Sequence, residues 1–316
     1  MRNIKSKETN LIKIGLIGMG RWGKNIARDL LQLPGVELSC VASKNPDTGR
    51  LIKNNCKIFS EWKDLINYSQ IDAVIICTPP KTHFEIAKSS IIAGYATLIE
   101  KPITLDYDEA KSIYELSISS NKLVMIDFTQ LFNYKFIAMK EYLKIVGKIK
   151  LILTRAGNFG PYHKDSPVLW DWGVHDLSIL ITLLGSSPNK IFSKKISADT
   201  TIDGDASTWE ISCDFDNKIK SRTLIGNMMP KCREVKVFGS NGVLVLDDLS
   251  TTPLKFYSDI NNLDFPNNKG IEIKFKPKRK PLYSILESFS DLVIKGENKH
   301  WSMPMAVEIS RLLSKC

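Results

Sequence analysis

The chain has no run of apolar residues near the roughly 18 that a membrane-spanning helix needs. Its core-like runs, such as Val74-Ile75-Ile76-Cys77, are strand-sized. It has no C-x-x-C pair, and its six cysteines stand at 40, 56, 77, 213, 232 and 316. Most of these fall in apolar, strand-like stretches. They read as reduced core thiols of a cytoplasmic protein, with Cys316 as the exposed exception, and no metal site is expected. Residues Met1 to Glu8 show neither an apolar stretch nor a small-residue cleavage site, so no signal peptide is expected. There is no Ser- or Gly-rich linker, no internal repeat and no low-complexity segment. Histidine is scarce, with four residues at 83, 163, 175 and 300.

What is present is ordinary globular composition, with 43% apolar and 25% charged residues. That excludes a disordered chain, a collagen and a coiled coil. A length of 316 residues suggests two domains. The formal net charge of +10 allows three kinds of partner: nucleic acid, an anionic membrane or a small anionic ligand. Basic residues are spread along the chain among acids. The densest cluster, Lys274, Lys276, Lys278, Arg279 and Lys280, carries no nucleic-acid motif and reads as a solvated loop face. Neither nucleic acid nor a membrane is expected as a partner.

The first 127 residues alternate strand and helix. Strands are expected at Lys13–Ile17, Val36–Ala42, Ala73–Cys77, Thr97–Ile99 and Leu123–Ile126. Helices are expected at Trp22–Leu33, Glu61–Asn67, His83–Ala93 and Asp106–Ser120, with Gly94 closing the third and Asp106 capping the fourth. Short apolar strands separated by helices imply a parallel sheet covered on both faces. The pattern then changes. A helix at Tyr134–Val146 precedes longer strands, Lys150–Ala156 and several within 191–275, with turns at Asp216-Asn217 and Asn241-Gly242. This is an antiparallel signature. Helices at Leu282–Ile294 and Met303–Leu313 follow. The expected fold is α/β: a dinucleotide-binding domain over 1–127, then an α+β domain over 128–316 with a large, mostly antiparallel sheet.

Gly18-Met19-Gly20-Arg21-Trp22-Gly23 follows a strand and opens a helix. In such a turn Gly18 permits the tight bend, Gly20 lets the backbone approach a pyrophosphate, and Gly23 lets helix and strand pack closely. The helix N-terminus offers unpaired N–H groups and partial positive charge. The end of the second strand tests which dinucleotide fits. NAD usually needs an acid there for the ribose 2′-hydroxyl. Val41-Ala42-Ser43-Lys44-Asn45 has none. Ser43 and Lys44, with Arg21 of the Gly-rich turn expected close by, suit a 2′-phosphate, so NADP is favoured over NAD. The alternative is an exposed Lys44 and NAD bound without the acid.

Three further segments bear chemistry. In Cys77-Thr78-Pro79-Pro80-Lys81-Thr82-His83 two prolines shape a turn at a strand's carboxyl end, where ligands sit in open α/β sheets. Thr78, Pro79 and His83 are candidates to face the cofactor; His83 reads equally as a helix-start residue without a chemical role. Glu100-Lys101-Pro102 holds a lysine at the next rim, where an ammonium can orient a hydroxyl or move a proton. Its plain alternative is a surface lysine before a helix. Leu169 to Leu177 opens an amphipathic helix in which Asp171 and His175, four apart, share a face. A carboxylate beside an imidazole orients it and raises its basicity. The competing reading is a capping Asp with a core His.

Together these motifs resemble the Gfo/Idh/MocA family of NAD(P)-dependent oxidoreductases. The likeness covers nearly the whole chain: G-x-G-x-x-G at 18–23, T-P-P-x-x-H at 78–83, E-K-P at 100–102, D-x-G-x-H at 171–175, and Phe132-Asn133. The resemblance implies a Rossmann domain followed by an α/β domain whose sheet serves oligomer contacts. It also implies a catalytic set of Lys101, Asp171 and His175, a cis Lys101–Pro102 bond, and Glu100 and Lys101 beside the cofactor. The chain departs from the family at Ser178, where many members carry an Asp, while Asp176 directly follows His175. The stretch 156–162 with Trp170 and Trp172 forms an aromatic approach that suits the C–H face of a sugar or simply packs the core. The implied reaction is hydride transfer at a carbinol carbon of a sugar, cyclitol or sugar derivative, with a homo-oligomer as the working form. The alternatives are a non-catalytic cofactor sensor on the same fold, or the same chemistry on a nucleotide sugar or sugar phosphate.

Overall fold

The structure, a computed structural model, describes residues 11–53, 55–258 and 270–316. The Met1–Glu8 stretch and residues 259–269 of the strand-rich region lie outside them. The chain divides into two compact units: residues 1–104, 108–127 and 282–304 form the first, and 105–107, 128–281 and 305–316 the second.

In the first unit the elements run β1 (Ile12–Ile17), α1 (Arg21–Leu30), β2 (Val36–Ala42), α2 (Thr48–Leu51), β3 (Lys57–Phe59), α3 (Trp62–Ile66), β4 (Ala73–Ile76), α4 (His83–Ile92), β5 (Ala96–Glu100), α5 (Tyr107–Ser119) and β6 (Val124–Asp127). The strands form one sheet in the order β3-β2-β1-β4-β5-β6. Every pairing is parallel. The order reverses between β1 and β4, and the carboxyl ends of strands at such a switch point frame a ligand crevice. Four-residue β4 is wholly buried, as a central parallel strand should be. Gly94 stands just past α4 at φ +89, the left-handed position its place in the sequence implies.

Two elements have no counterpart in the sequence reading: α2 and β3. Both are short, and β3 is mostly exposed, so neither leaves a hydrophobic period. β2 keeps its expected ends, and the ends of the other elements in this unit move by up to three residues, as boundaries do.

The second unit contains α6 (Tyr134–Tyr142), β7 (Ile149–Phe159), α7 (Val168–Leu184), β8 (Lys190–Thr201), β9 (Gly204–Asp214), β10 (Lys220–Gly226), β11 (Met228–Gly239), β12 (Val243–Asp247), β13 (Leu254–Tyr257) and β14 (Ile271–Glu272). They form an eight-stranded sheet in the order β14-β13-β12-β11-β7-β10-β9-β8. All its pairs are antiparallel except β7 with β10. Asn217 and Gly242 take positive φ in the β9–β10 and β11–β12 connections, as the turn residues suggest.

Helix α8 (Pro281–Ile294) and helix α9 (Ser302–Leu313) follow. The sequence boundary placed all of 128–316 in one domain, whereas residues 282–304 group with the first unit. A hydrogen bond supplies one reason. Ser302 is fully buried, and its Oγ accepts from the Ile126 N–H at 2.9 Å, closing the edge of β6.

Five basic side chains at 274–280 are all exposed, as a solvated face requires. The six thiols are free. Burial pushes Cys40 and Cys213 up to about 12 and Cys56 up to about 11, so these are inert core groups. No helix among the described residues is long and apolar enough to cross a membrane.

Candidate functional site

The Gly-rich turn connects β1 to α1, and its three glycines do different work. Gly18 has φ +102, and a Cβ there would lie 2.4 Å from the Cys77 carbonyl oxygen. At Gly23 a Cβ would lie 2.0 Å from the Gly18 carbonyl oxygen. Both positions therefore exclude a side chain because backbone crosses backbone. Around Gly20, by contrast, a Cβ would meet nothing within 4 Å. Gly20 is the N-cap of α1, whose first turn has no side-chain cap and no acid. The open space in front of uncapped N–H groups is the cradle a pyrophosphate needs. Arg21 and Trp22 begin the helix and are exposed.

The loop after β2 lies against this turn. Gly18 N–H donates to the Ala42 carbonyl at 2.9 Å, and Asn45 Nδ2 donates to the Met19 carbonyl at 3.1 Å. Ser43 Oγ accepts from the Asn45 N–H at 3.0 Å and lies 2.9 Å from Thr48 Oγ1, so this hydroxyl is engaged within its own turn. Lys44 is exposed, and its Nζ lies 3.0 Å from Glu61 Oε1. The loop's own acid, Asp47, is paired with Arg50 at 3.5 Å, and the fold brings a second acid, Glu61, beside Lys44.

The rims after β4 and β5 are joined by His83. This residue is fully buried. Its Nδ1 lies 2.9 Å from the Pro102 carbonyl oxygen and its Nε2 2.8 Å from that of Thr78. Desolvation lowers its pKa. His83 is a candidate to face the cofactor, but its ring is fully buried between two backbone carbonyls; the neutral ring donates its one N–H to one of them and lies against the other, so it packs between the two rim turns. Thr78 is half-buried, and its Oγ1 accepts from Thr82 Oγ1 at 2.7 Å, while Pro79 is exposed. Glu100 and Lys101 are half-buried at the end of β5, and the Lys101–Pro102 bond is cis. Glu100 pairs in register with Asp127 of β6, which is 1% exposed. Nothing in the sequence around Asp127 marked it, because only strand register places it there.

In the second unit, α7 lies on the sheet against β7, β9 and β10. A Cβ on Gly173 would come within 3.2 Å of Leu313, 3.5 Å of Ile211 and 3.7 Å of Ile225, so this glycine permits a close approach of helix to sheet. Most of the first three turns of α7 is buried, whereas Asp171 and His175 are half-buried along one stripe. The i, i+4 spacing puts them on a shared face. Ser178, at the position where many family members carry an Asp, is fully buried, and its Oγ donates to the His175 carbonyl at 2.7 Å. Asp176 points the other way, into the sheet. It is 2% exposed, hydrogen-bonded to Thr154 and near Arg233, and burial raises its pKa to about 6. The Arg233 guanidinium lies 5.7 Å from the Trp172 ring, one turn before Asp176. Trp172 is buried and packs the core, while Trp170 is half-buried.

Residues 12–128 match the family model described as "Oxidoreductase family, NAD-binding Rossmann fold". A crystal structure assigned as an oxidoreductase, from Magnetospirillum magnetotacticum MS-1, is 34% identical, with a TM-score of 0.90, covering 96% of this chain and 99% of that one. This chain belongs to the Gfo/Idh/MocA family of oxidoreductases. Its first unit is an NAD(P)-binding Rossmann domain. The uncharacterized oxidoreductase YdgJ of Escherichia coli K12 is 27% identical over 186 residues, 55% of this chain and 54% of that protein. The inositol 2-dehydrogenase of Rhizobium meliloti strain 1021 is 25% identical over 250 residues, 75% of this chain and 76% of that protein. The match to YdgJ thus spans about half of that relative's length.

Proposed function

We propose that the protein is an NAD(P)-dependent dehydrogenase or reductase acting on a carbinol or carbonyl carbon of a sugar, cyclitol or sugar derivative. The observation that carries this reading is the half-buried stripe of Asp171 and His175 on a helix whose other faces are packed. A core His would be as buried as Val174 and Asp176 on either side of it, whereas His175 is half-buried in line with Asp171. The inositol dehydrogenase relative supports the substrate class.

The bound dinucleotide supplies the hydride acceptor or donor. The protein's own groups handle the oxygen and its proton. His175 takes the hydroxyl proton as the carbinol is oxidised and returns it to the alkoxide in reduction. Lys101 donates a hydrogen bond to the reacting oxygen and stabilises its developing charge. Asp171 orients the imidazole or the substrate hydroxyl. His83 holds the Lys101–Pro102 turn through the Pro102 carbonyl. Gly18, Gly20 and Gly23 with the N-terminus of α1 hold the pyrophosphate, and the loop of Ser43 and Lys44 meets the adenosine ribose.

Free thiols support a cytoplasmic setting. Phe192 at 67% exposed and Ile196 at 52% on β8 support a homo-oligomer built on the large sheet. The test is a panel of polyols, aldoses and nucleotide sugars with NADP+ and NAD+, read as growth of reduced nicotinamide. Turnover of a polyol or sugar supports the reading. Tight nucleotide binding with no turnover anywhere on the panel favours the sensor instead.

A further inference from the structure

We propose that Glu61 sets the choice between the two nicotinamide dinucleotides by competing with a ribose 2′-phosphate for Lys44. This deepens the cofactor reading above and rests on it.

The placement comes first. Asn45 ties the loop after β2 to the Gly-rich turn through its 3.1 Å hydrogen bond to the Met19 carbonyl, so residues 43–45 border the pyrophosphate cradle. Strand register then adds the acid. Ala42 pairs with Phe59, and the Ser43 N–H donates to the Phe59 carbonyl at 2.9 Å, which carries Glu61 alongside Lys44. The two side chains meet at 3.0 Å and are 55% and 77% exposed, so a ligand can reach both. The loop's own acid, Asp47, is turned to Arg50 at 3.5 Å.

The chemistry separates the two ligands. A ribose 2′-hydroxyl is neutral and can donate to the Glu61 carboxylate while the carboxylate keeps Lys44. A 2′-phosphate brings close to two negative charges at neutral pH. It must draw Lys44 away from Glu61 and then sit beside the carboxylate it has displaced. An exposed ion pair is weak enough to exchange in this way. One carboxylate therefore shifts the balance, and Lys44 alone does not define it.

The experiment measures dissociation constants of NADPH and NADH by nicotinamide fluorescence for the wild type, Glu61→Gln and Lys44→Met, at low salt and at about 0.5 M salt. Both positions are exposed, so thermal midpoints serve to show that the variants fold. Glu61→Gln is expected to tighten NADPH by about five- to tenfold at low salt while NADH stays within about twofold, the gain fading at high salt. Lys44→Met is expected to weaken NADPH more than NADH. A Glu61→Gln protein in which both nucleotides move together, or in which their ratio changes by less than about twofold, overturns the assignment while leaving the cofactor reading intact. A wild type that binds neither nucleotide overturns both.

Discussion

The two units present their candidate groups by different means. In the first, most sit in or beside a turn at the carboxyl end of a parallel strand: Gly18 after β1, Ser43 and Lys44 after β2, Thr78 after β4, Lys101 after β5. In the second, Asp171 and His175 stand on a helix, spaced by its pitch. A turn that must bend sharply or approach a ligand closely restricts residue type within a few positions, so it leaves a motif. A helix accepts many residues at each position, so a pair on it means little until the packing of its other faces is known. The comparison predicts a division of labour: the first unit holds the nucleotide and offers one hydrogen-bond donor, and the second handles the proton.

The largest effects should come from removing one group from each side. Lys101→Ala should lower kcat by about two to three orders of magnitude, since one donor to a developing oxyanion is worth roughly 3–4 kcal/mol. His175→Ala should fall comparably in kcat yet keep its NADPH and NADH dissociation constants. Loss of nucleotide binding in the His175 variant breaks the division of labour; a near-normal kcat in the Lys101 variant removes that lysine from the chemistry.

The units should also answer pH in opposite senses. Asp176 in the second unit has a folded pKa of about 6 against 3.8 for the free group. Its folded state holds the proton longer, so its contribution is present below about pH 4 and lost as pH rises towards 6, a loss of about 3 kcal/mol. His300 in the first unit is lowered from 6.5 to about 4 by burial. Its Nδ1 accepts from the Ser302 N–H at 3.3 Å and lies 2.7 Å from Ser302 Oγ, which suits the neutral ring. The contribution of His300 is present above pH 6.5 and lost as pH falls through 4. Denaturation midpoints of the wild type, Asp176→Asn and His300→Gln between pH 4 and 8 check this. The Asp176 variant should lose the decline between pH 4 and 6, and the His300 variant should lose part of the acid-side fall. Identical pH profiles for all three proteins contradict both assignments.

Smaller effects sharpen the first unit's role. His83→Ala removes the ring's contacts with the buried Pro102 carbonyl and the half-buried Thr78 carbonyl and should cost about 1–3 kcal/mol of stability. It should also lower kcat, through the turn that carries Lys101, more than it weakens nucleotide binding. Gly20→Ala should fold normally, because its Cβ meets no atom, yet bind either nucleotide about tenfold more weakly, a loss of roughly 1.4 kcal/mol. Full affinity in Gly20→Ala would show that the open space there is not the phosphate site.

Legibility followed range along the chain. Val36–Ala42 matches β2 residue for residue, and the other long elements shift only at their ends, because alternating burial is written into neighbouring residues. The short α2 and exposed β3 left no such pattern. For His83 the motif is visible in the sequence and leaves a cofactor-facing and a plain helix-start role equally open, while its full burial between two carbonyls is not visible there. Ser178 looked like a gap in the site and is instead a hydroxyl bonded within its own helix. Asp127 gave no local signal, being an acid at the end of an apolar run whose neighbour Glu100 is supplied by strand register.

Neighbouring residues alone were enough to specify the Gly-rich turn, the parallel sheet that positions it, the change to an antiparallel sheet and the candidate lysine, aspartate and histidine. These depend on turn sterics and on periods of two and 3.6 residues, which act over a few positions. Tertiary structure alone decided that residues 282–304 join the first unit, that Asp176 faces the sheet while His175 does not, and that Glu61 reaches Lys44. Each of these joins groups whose separation is closed by strand pairing and packing. A carboxylate 17 residues away counts as no acid at all until a neighbouring strand in register brings it within 3.0 Å.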